Sequence, residues 1–80
     1  VSGTLHIDFT PGEGAIIRAL GLIERRGFEL RDVAAEGRRL TVAVEPRGPG
    51  RQLDVLRRQL ERLVDVTAVQ IISAPAGQPA

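Results

Sequence analysis

Apolar residues in this 80-residue chain alternate, then recur at helical spacing, then alternate again, and the whole sequence of periods repeats. From Thr4 to Thr10, Leu5, Ile7 and Phe9 fall on one side and Thr4, His6, Asp8 and Thr10 on the other. This pattern predicts a strand with one buried face. From about Glu13 to Arg26, Ile16, Ala19, Leu20 and Ile23 follow the i, i+3, i+4, i+7 stripe of an amphipathic helix, with Arg18, Glu24 and Arg25 outward. Gly27 stands where a helix C-terminal glycine belongs, and Arg25 and Arg26 suit the negative dipole end.

A second strand begins at Phe28 and runs to Ala35, but its phase is mixed. Phe28 and Leu30 share one parity, Val33 and Ala35 the other. A bulge near Arg31-Asp32 brings Leu30 and Val33 to one face, and Glu36-Gly37 supplies a tight reversal. Leu40, Val42 and Val44 mark a third strand, opposite Thr41, Ala43 and Glu45. Pro46 to Gly50 cannot extend a sheet or a helix and reads as a loop. A second helix is expected from about Arg51 to Leu63, with Leu53, Leu56, Leu60 and Leu63 inward and Arg57, Arg58, Glu61 and Arg62 outward. Asp65 to Ile72 is the fourth strand, with Thr67, Val69 and Ile71 on its core side.

The order βαββαβ predicts an α+β, ferredoxin-like fold: a four-stranded antiparallel sheet with two helices on one face. The folded unit is expected over residues 1–72, with 73–80 a flexible tail. Two short helices cover only one sheet face, and a core this small contributes no more than about 3–5 kcal/mol. Val33, Ala35 and Ala43 are candidates for the uncovered face. Pairing with another copy, edge to edge or face to face, is the expected remedy, which makes the chain a homodimer through its sheet.

Composition narrows the function. All eleven basic residues are arginine, and they oppose ten acidic residues for a net charge of +1. Acids and bases alternate, and both phenylalanines fall at buried positions. Neither a one-signed face nor a stacking platform is present, so nucleic-acid binding is not expected. Without cysteine the chain offers no disulfide or thiolate site, and a lone His6 makes a metal site improbable. No apolar run approaches the length of a membrane span, and no basic-then-apolar start indicates a signal peptide, so no membrane partner and a cytoplasmic location are expected.

Catalysis is also disfavoured. Ser2 and Ser73 are terminal, and Thr4, His6 and Asp8 project in parallel from one strand face without converging. The informative segment is the glycine-rich turn Pro11-Gly12-Glu13-Gly14 opening the first helix. A helix N-terminus there presents unpaired N–H groups and a positive dipole end to a small anion. A tight strand-to-helix connection explains Gly12 and Gly14 equally well, and Glu13 suits the first turn of a helix by charge alone. The chemistry points to a binding or regulatory module.

Two runs carry a family resemblance. P-x-E-G-A-x-x-R-x-x-G-x-x-x-x-R-G-F spans Pro11 to Phe28, and L-x-x-L-V-D-V-x-x-V spans Leu60 to Val69. Together with the element order they resemble the ACT domain. The run Gln59-Leu60-Glu61-Arg62-Leu63-Val64-Asp65-Val66 is similar, more narrowly, to the regulatory small subunit of acetolactate synthase, in its short, single-ACT form. That resemblance implies a chain that is not an enzyme and binds no cofactor. Its partner would be a catalytic large subunit, which holds thiamine diphosphate, Mg and FAD and is activated by the small subunit in branched-chain amino acid biosynthesis. It further implies a branched-chain amino acid bound between two ACT domains. The matching positions are Gly12, Glu13, Gly14, Ala15 and Ile16 in the turn, and Glu29 and Leu30 from the neighbouring copy. Feedback-sensitive members carry asparagine where Glu29 stands. A stand-alone ACT module that senses amino acids or dimerises to regulate another metabolic enzyme is the alternative.

Overall fold

A computed structural model describes residues 3–48, 50 and 52–73. The elements are β1 (Gly3–Phe9), α1 (Ala15–Arg25), β2 (Phe28–Glu36), β3 (Arg39–Pro46), α2 (Leu53–Glu61) and β4 (Val66–Ser73). They form one sheet in the order β2-β3-β1-β4, every neighbouring pair antiparallel. This is the ferredoxin-like α+β arrangement that the alternating periods predict. Ser73, expected to open the tail, still pairs with Thr4, and the remainder of the expected tail lies outside the described residues.

One sheet face and both helices share a single core. Leu5 and Ile7 of β1, Leu40, Val42 and Val44 of β3, Ile23 of α1 and Leu56 and Leu60 of α2 are almost wholly removed from water. Alternation on the strands and helical spacing on α1 and α2 aim these side chains at one another. Leu22 is buried beside Ile23 on α1, whereas Ile16 and Leu20 of the expected stripe are only partly covered. The buried stripe is therefore rotated by about one position from that expected. Helix α1 starts at Ala15 because Gly14, at φ 76°, holds a left-handed conformation just ahead of it. It ends where Gly27, at φ 88°, reverses the chain and donates its N–H to the Glu24 carbonyl at 3.1 Å.

The bulge in β2 falls where the broken phase required it. Leu30 pairs with Val44 and Asp32 with Ala43, leaving Arg31 as the extra residue. The two-residue turn is Gly37-Arg38, one position later than expected, with Gly37 at φ 60°. That is the geometry of a II′-type hairpin, which takes glycine first.

Three placements differ from expectation. Val33 and Ala35 stand opposite the buried Val42 and Leu40, so they belong to the helix-covered face. They are nonetheless exposed, because β2 is the edge of the sheet and cover is complete only over Val42 and Leu40 beside them on β3. Thr67 is not a core residue: a register shift between Asp8 and Phe9 gives Val66 the place opposite Phe9 and leaves Thr67 exposed. The Thr67 hydroxyl instead donates to the Asp8 carbonyl at 3.1 Å. Helix α2 begins at Leu53, two residues after the expected start at Arg51, which lies outside the described residues, and Leu63 packs on the core from beyond its end.

The uncovered face carries Thr4, His6 and Asp8 of β1 with Arg39, Thr41 and Ala43 across from them. Arg39 donates to Asp8 at 2.8 Å, and that hydrogen bond holds the Asp8 carboxyl below its ordinary value of 3.8. On α2, Arg57 and then Arg58 do the same for Asp54.

Two outcomes follow from this packing. Leu56→Ala removes a wholly buried side chain and should cost about 2–5 kcal/mol, comparable to the whole stability of a domain this small. A denaturant titration that found a loss below about 1 kcal/mol would contradict the packing described. Because folding lowers the carboxyl value of Asp8, its stabilisation is present above about pH 3.8 and is lost as pH falls through the folded value. Asp8→Asn should therefore flatten the acid limb of a pH–stability curve, leaving the part that Asp54 contributes.

Candidate functional site

The turn between β1 and α1 forms one wall of an open pocket of about 380 Å³. Phe9, Pro11, Gly12, Gly14, Ala15, Ile16, Ile17 and Gly37 line it. β1 delivers Phe9 to the floor, and the first turn of α1 brings Ala15, Ile16 and Ile17 alongside. Gly37 arrives from the β2–β3 turn because β3 lies beside β1: the Phe9 N–H donates to the Arg38 carbonyl at 2.9 Å. Two sequence-distant glycine turns thus meet across one concavity.

Walls and donors differ in chemistry. Phe9 and Ala15 are buried, while Ile17 is 76% exposed at the rim. Among the pocket-lining residues none is charged. What the pocket has to offer a polar ligand is backbone. First-turn N–H groups have no intrahelical acceptor; that of Ala15 bonds the Gly12 carbonyl at 3.2 Å, and those of Ile16 and Ile17 come next. A small carboxylate with an aliphatic tail meets both requirements, with its anion at the helix N-terminus and its tail against Phe9, Ile16 and Ile17.

An ion pair fixes the turn from behind. Arg18 Nε donates to Asp65 Oδ2 at 2.9 Å, and Nη2 contacts the same oxygen. The Asp65 carbonyl accepts the Thr10 N–H at 2.7 Å. Asp65 therefore holds both ends of the turn, its carboxylate on α1 and its carbonyl on the end of β1.

Of the residues expected to bind ligand, Gly12, Gly14, Ala15 and Ile16 come together in the pocket. Glu13 does not line it. It is exposed and precedes the Gly14 cap, so it also lies outside the first helical turn, where α1 has no acidic residue. Glu29 and Leu30 lie at the beginning of β2, whereas Gly37 follows its other end, so a single chain does not bring them to the pocket. Glu29 faces Glu45 across the ladder and takes a hydrogen bond from Arg31 at 3.0 Å. Phe9, Pro11, Ile17 and Gly37 are the pocket residues that sequence reasoning missed. The adjacent pair Ile16-Ile17 was a usable signal, since one of the two had to leave the stripe.

A glycine-opened helix over an apolar pocket, on a sheet with helices on one side, offers a small ligand backbone donors beside apolar walls. Residues 11–69 match the ACT domain family, and the chain belongs to it. Members of that family are regulatory, amino-acid-binding modules found in kinases and other enzymes, and they are not themselves catalytic.

Solved structures agree in fold. The crystal structure of the ACT domain from GTP pyrophosphokinase of Chlorobium tepidum is similar with a TM-score of 0.73 at 13% identity, over 89% of this chain and 96% of that one. The C-terminal domain of the MgtC protein from Mycobacterium tuberculosis gives a TM-score of 0.67 at 20% identity, over 99% and 93%. Aspartate kinase of Clostridium acetobutylicum gives 0.69 at 11% identity, over 88% of this chain and 17% of the kinase. At these identities the likeness concerns the fold alone. Comparison with curated proteins finds no match. Among the described residues no helix is long and apolar enough to cross a membrane.

The two turn glycines are not equivalent. Gly14 has φ 76°, and an added Cβ would lie 3.0 Å from Arg18 Nη1, a movable side-chain tip. Gly12 has no positive φ, and its nearest neighbour would be the Thr10 carbonyl oxygen at 4.0 Å. Gly14→Ala should thus lose about 1–2 kcal/mol from the left-handed backbone, and Gly12→Ala no more than about 0.5 kcal/mol, as read by denaturant titration. Equal losses would overturn that assignment.

Proposed function

We propose that this ACT domain is the non-catalytic regulatory small subunit of an acetolactate synthase. It would activate the thiamine-diphosphate-dependent large subunit and take up a branched-chain amino acid between two of its own copies. The observation that supports this most is the apolar pocket at the N-terminus of α1. Its chemistry suits an aliphatic amino acid, with the carboxylate on the backbone donors and the side chain on Phe9, Ile16 and Ile17. The two runs that carry the family resemblance also meet: Arg18 of the first bonds Asp65 of the second. On this reading thiamine diphosphate, Mg and FAD belong to the catalytic partner.

The position of Glu29 supports a site between copies. It lies at the opposite end of β2 from the pocket, and an antiparallel second copy reverses that strand. Glu29 and Leu30 of the partner would then approach the turn and complete the enclosure of the ligand. An ionised glutamate only accepts hydrogen bonds, whereas the asparagine of feedback-sensitive relatives both donates and accepts. Glu29 therefore repels a carboxylate and welcomes an ammonium group. This substitution favours, as a second reading, an ACT module that senses a different amino acid and serves another metabolic enzyme.

Mixing the chain with a cognate large subunit should raise its turnover, and unchanged turnover would leave the second reading in place. Calorimetric titration with valine, leucine and isoleucine tests the pocket directly. Glu29→Asn should strengthen binding of the amino acid by several-fold if the partner's carboxylate faces the ligand.

A further inference from the structure

We propose that the end of the molecule carrying Arg62 and Val64 docks the catalytic partner, with Val64 entering an apolar recess bordered by carboxylates. The proposal deepens the regulatory reading above and rests on it. Among the described residues Val64 is the most exposed large hydrophobic side chain, at 92%, and Ile17 follows at 76%. A single exposed valine is ordinary on a protein surface. What sets Val64 apart is where it stands and how firmly it is held.

Three connections meet at the end of β1. The Phe9 N–H donates to the Arg38 carbonyl of the β2–β3 turn, and the Thr10 N–H donates to the Asp65 carbonyl of the α2–β4 loop. The pocket turn from Pro11 to Gly14 follows directly. Val64 precedes Asp65 and Ile17 precedes Arg18, so the two exposed side chains adjoin both halves of the ion pair that fixes this turn. Ile17 also stands at the rim of the pocket. Backbone hydrogen bonds hold the Val64 loop in place: the N–H groups of Arg62, Leu63 and Val66 donate to the carbonyls of Gln59, Leu60 and Leu63 at 3.2, 3.0 and 3.1 Å. Leu63 packs against the core on one side of Val64, and Asp65 is tied to α1 and β1 on the other. An apolar side chain presented on so fixed a loop has little freedom left to lose when a partner buries it. Folding gains nothing from Val64 itself, since water still surrounds it.

Charge identifies the kind of partner. Arg62, two residues before Val64, is exposed and belongs to no ion pair among the described residues. A contact that buries Val64 brings that guanidinium against the partner, which has to supply a carboxylate if the charge is not to be stranded. The carboxylates nearest in sequence, Glu61 and Asp65, are already held by Arg57 and Arg18. The same surface of a second copy therefore has no free carboxylate beside Val64 to offer Arg62. A different chain, with acidic groups around an apolar recess, meets both requirements. Because Ile17 borders both the pocket and this surface, a ligand lying against Ile17 alters the ground on which the partner sits. Ligand and partner are thereby coupled through differential affinity for one surface.

Substitutions at the two ends of the molecule test this surface against a cognate acetolactate synthase large subunit. Association is read by sedimentation, and activation by the chain concentration that gives half-maximal turnover. Val64→Asp should raise the dissociation constant and that concentration about tenfold or more, because it carries a charge into the apolar recess. Arg62→Glu should raise them several-fold by setting carboxylate against carboxylate. Val55→Asp makes the same change at an exposed valine near the N-terminal end of α2, and should leave both within about twofold. Val64 stands in water, so Val64→Asp should keep the wild-type midpoint in a denaturant titration. A Val64→Asp chain that associates and activates like wild type would overturn the proposal, as would equal losses in Val64→Asp and Val55→Asp. A wild-type chain that binds the large subunit without raising its turnover would sink the regulatory reading instead, and association of the variants would still decide the surface. A wild-type chain that does not bind at all would end both.

Discussion

Two helices of 11 and 9 residues have to shield the apolar face of a four-stranded sheet, and the extent of that cover constrains everything else. At 1.5 Å per residue they span about 16 and 14 Å, roughly half the length of a nine-residue strand at about 3.3 Å per residue. Leu5, Ile7, Leu40, Val42 and Val44 lie under them and are dry. β2 forms the edge of the sheet, beside the covered β3, in a molecule measuring 36 × 24 × 19 Å. Val33 and Ala35 consequently share a face with the core and remain wet. Burial is therefore concentrated in the middle of the molecule, and the surfaces left over are those suited to a ligand or a second chain.

Irregularities in the outer strands adjust which side chains reach that core. In β2 the extra residue Arg31 lets Leu30 and Val33 point the same way despite their odd spacing. In β4 the shift opposite Phe9 exchanges Thr67 for Val66 on the core side and gives the Thr67 hydroxyl an acceptor in the Asp8 carbonyl. Each bulge exchanges one ladder position for a better match between side chain and surroundings. Both occur on edge strands, where the loss of a regular position disturbs only one neighbouring ladder.

The pocket depends on the same economy of parts. Its donors are main-chain groups of a helix terminus and its walls are apolar, so no ionisable side chain has to be desolvated to form it. Asp65 fixes the turn by way of Arg18 and the Thr10 N–H, outside the cavity itself. A module built this way is suited to occupancy and release.

Much of this was legible in the order of the residues. Alternation over Thr4–Thr10 and Leu40–Val44, and the leucine stripe Leu53, Leu56, Leu60 and Leu63, specify strands and helix because side-chain periodicity is a local property of the backbone. The broken phase between Leu30 and Val33 revealed the bulge for the same reason, and the glycine turn placed the start of α1 near Glu13, two residues before it begins at Ala15. Tertiary structure alone decided the rest. No local pattern states that β3 lies beside β1, yet that neighbour relation brings Gly37 to the Pro11–Gly14 turn. Nor does one show that Val33 and Ala35 stay exposed, since that depends on β2 being the edge strand of the sheet. The exchange of Val66 for Thr67 was hidden likewise, because a residue's face in a bulged edge strand is fixed by the strand it pairs with.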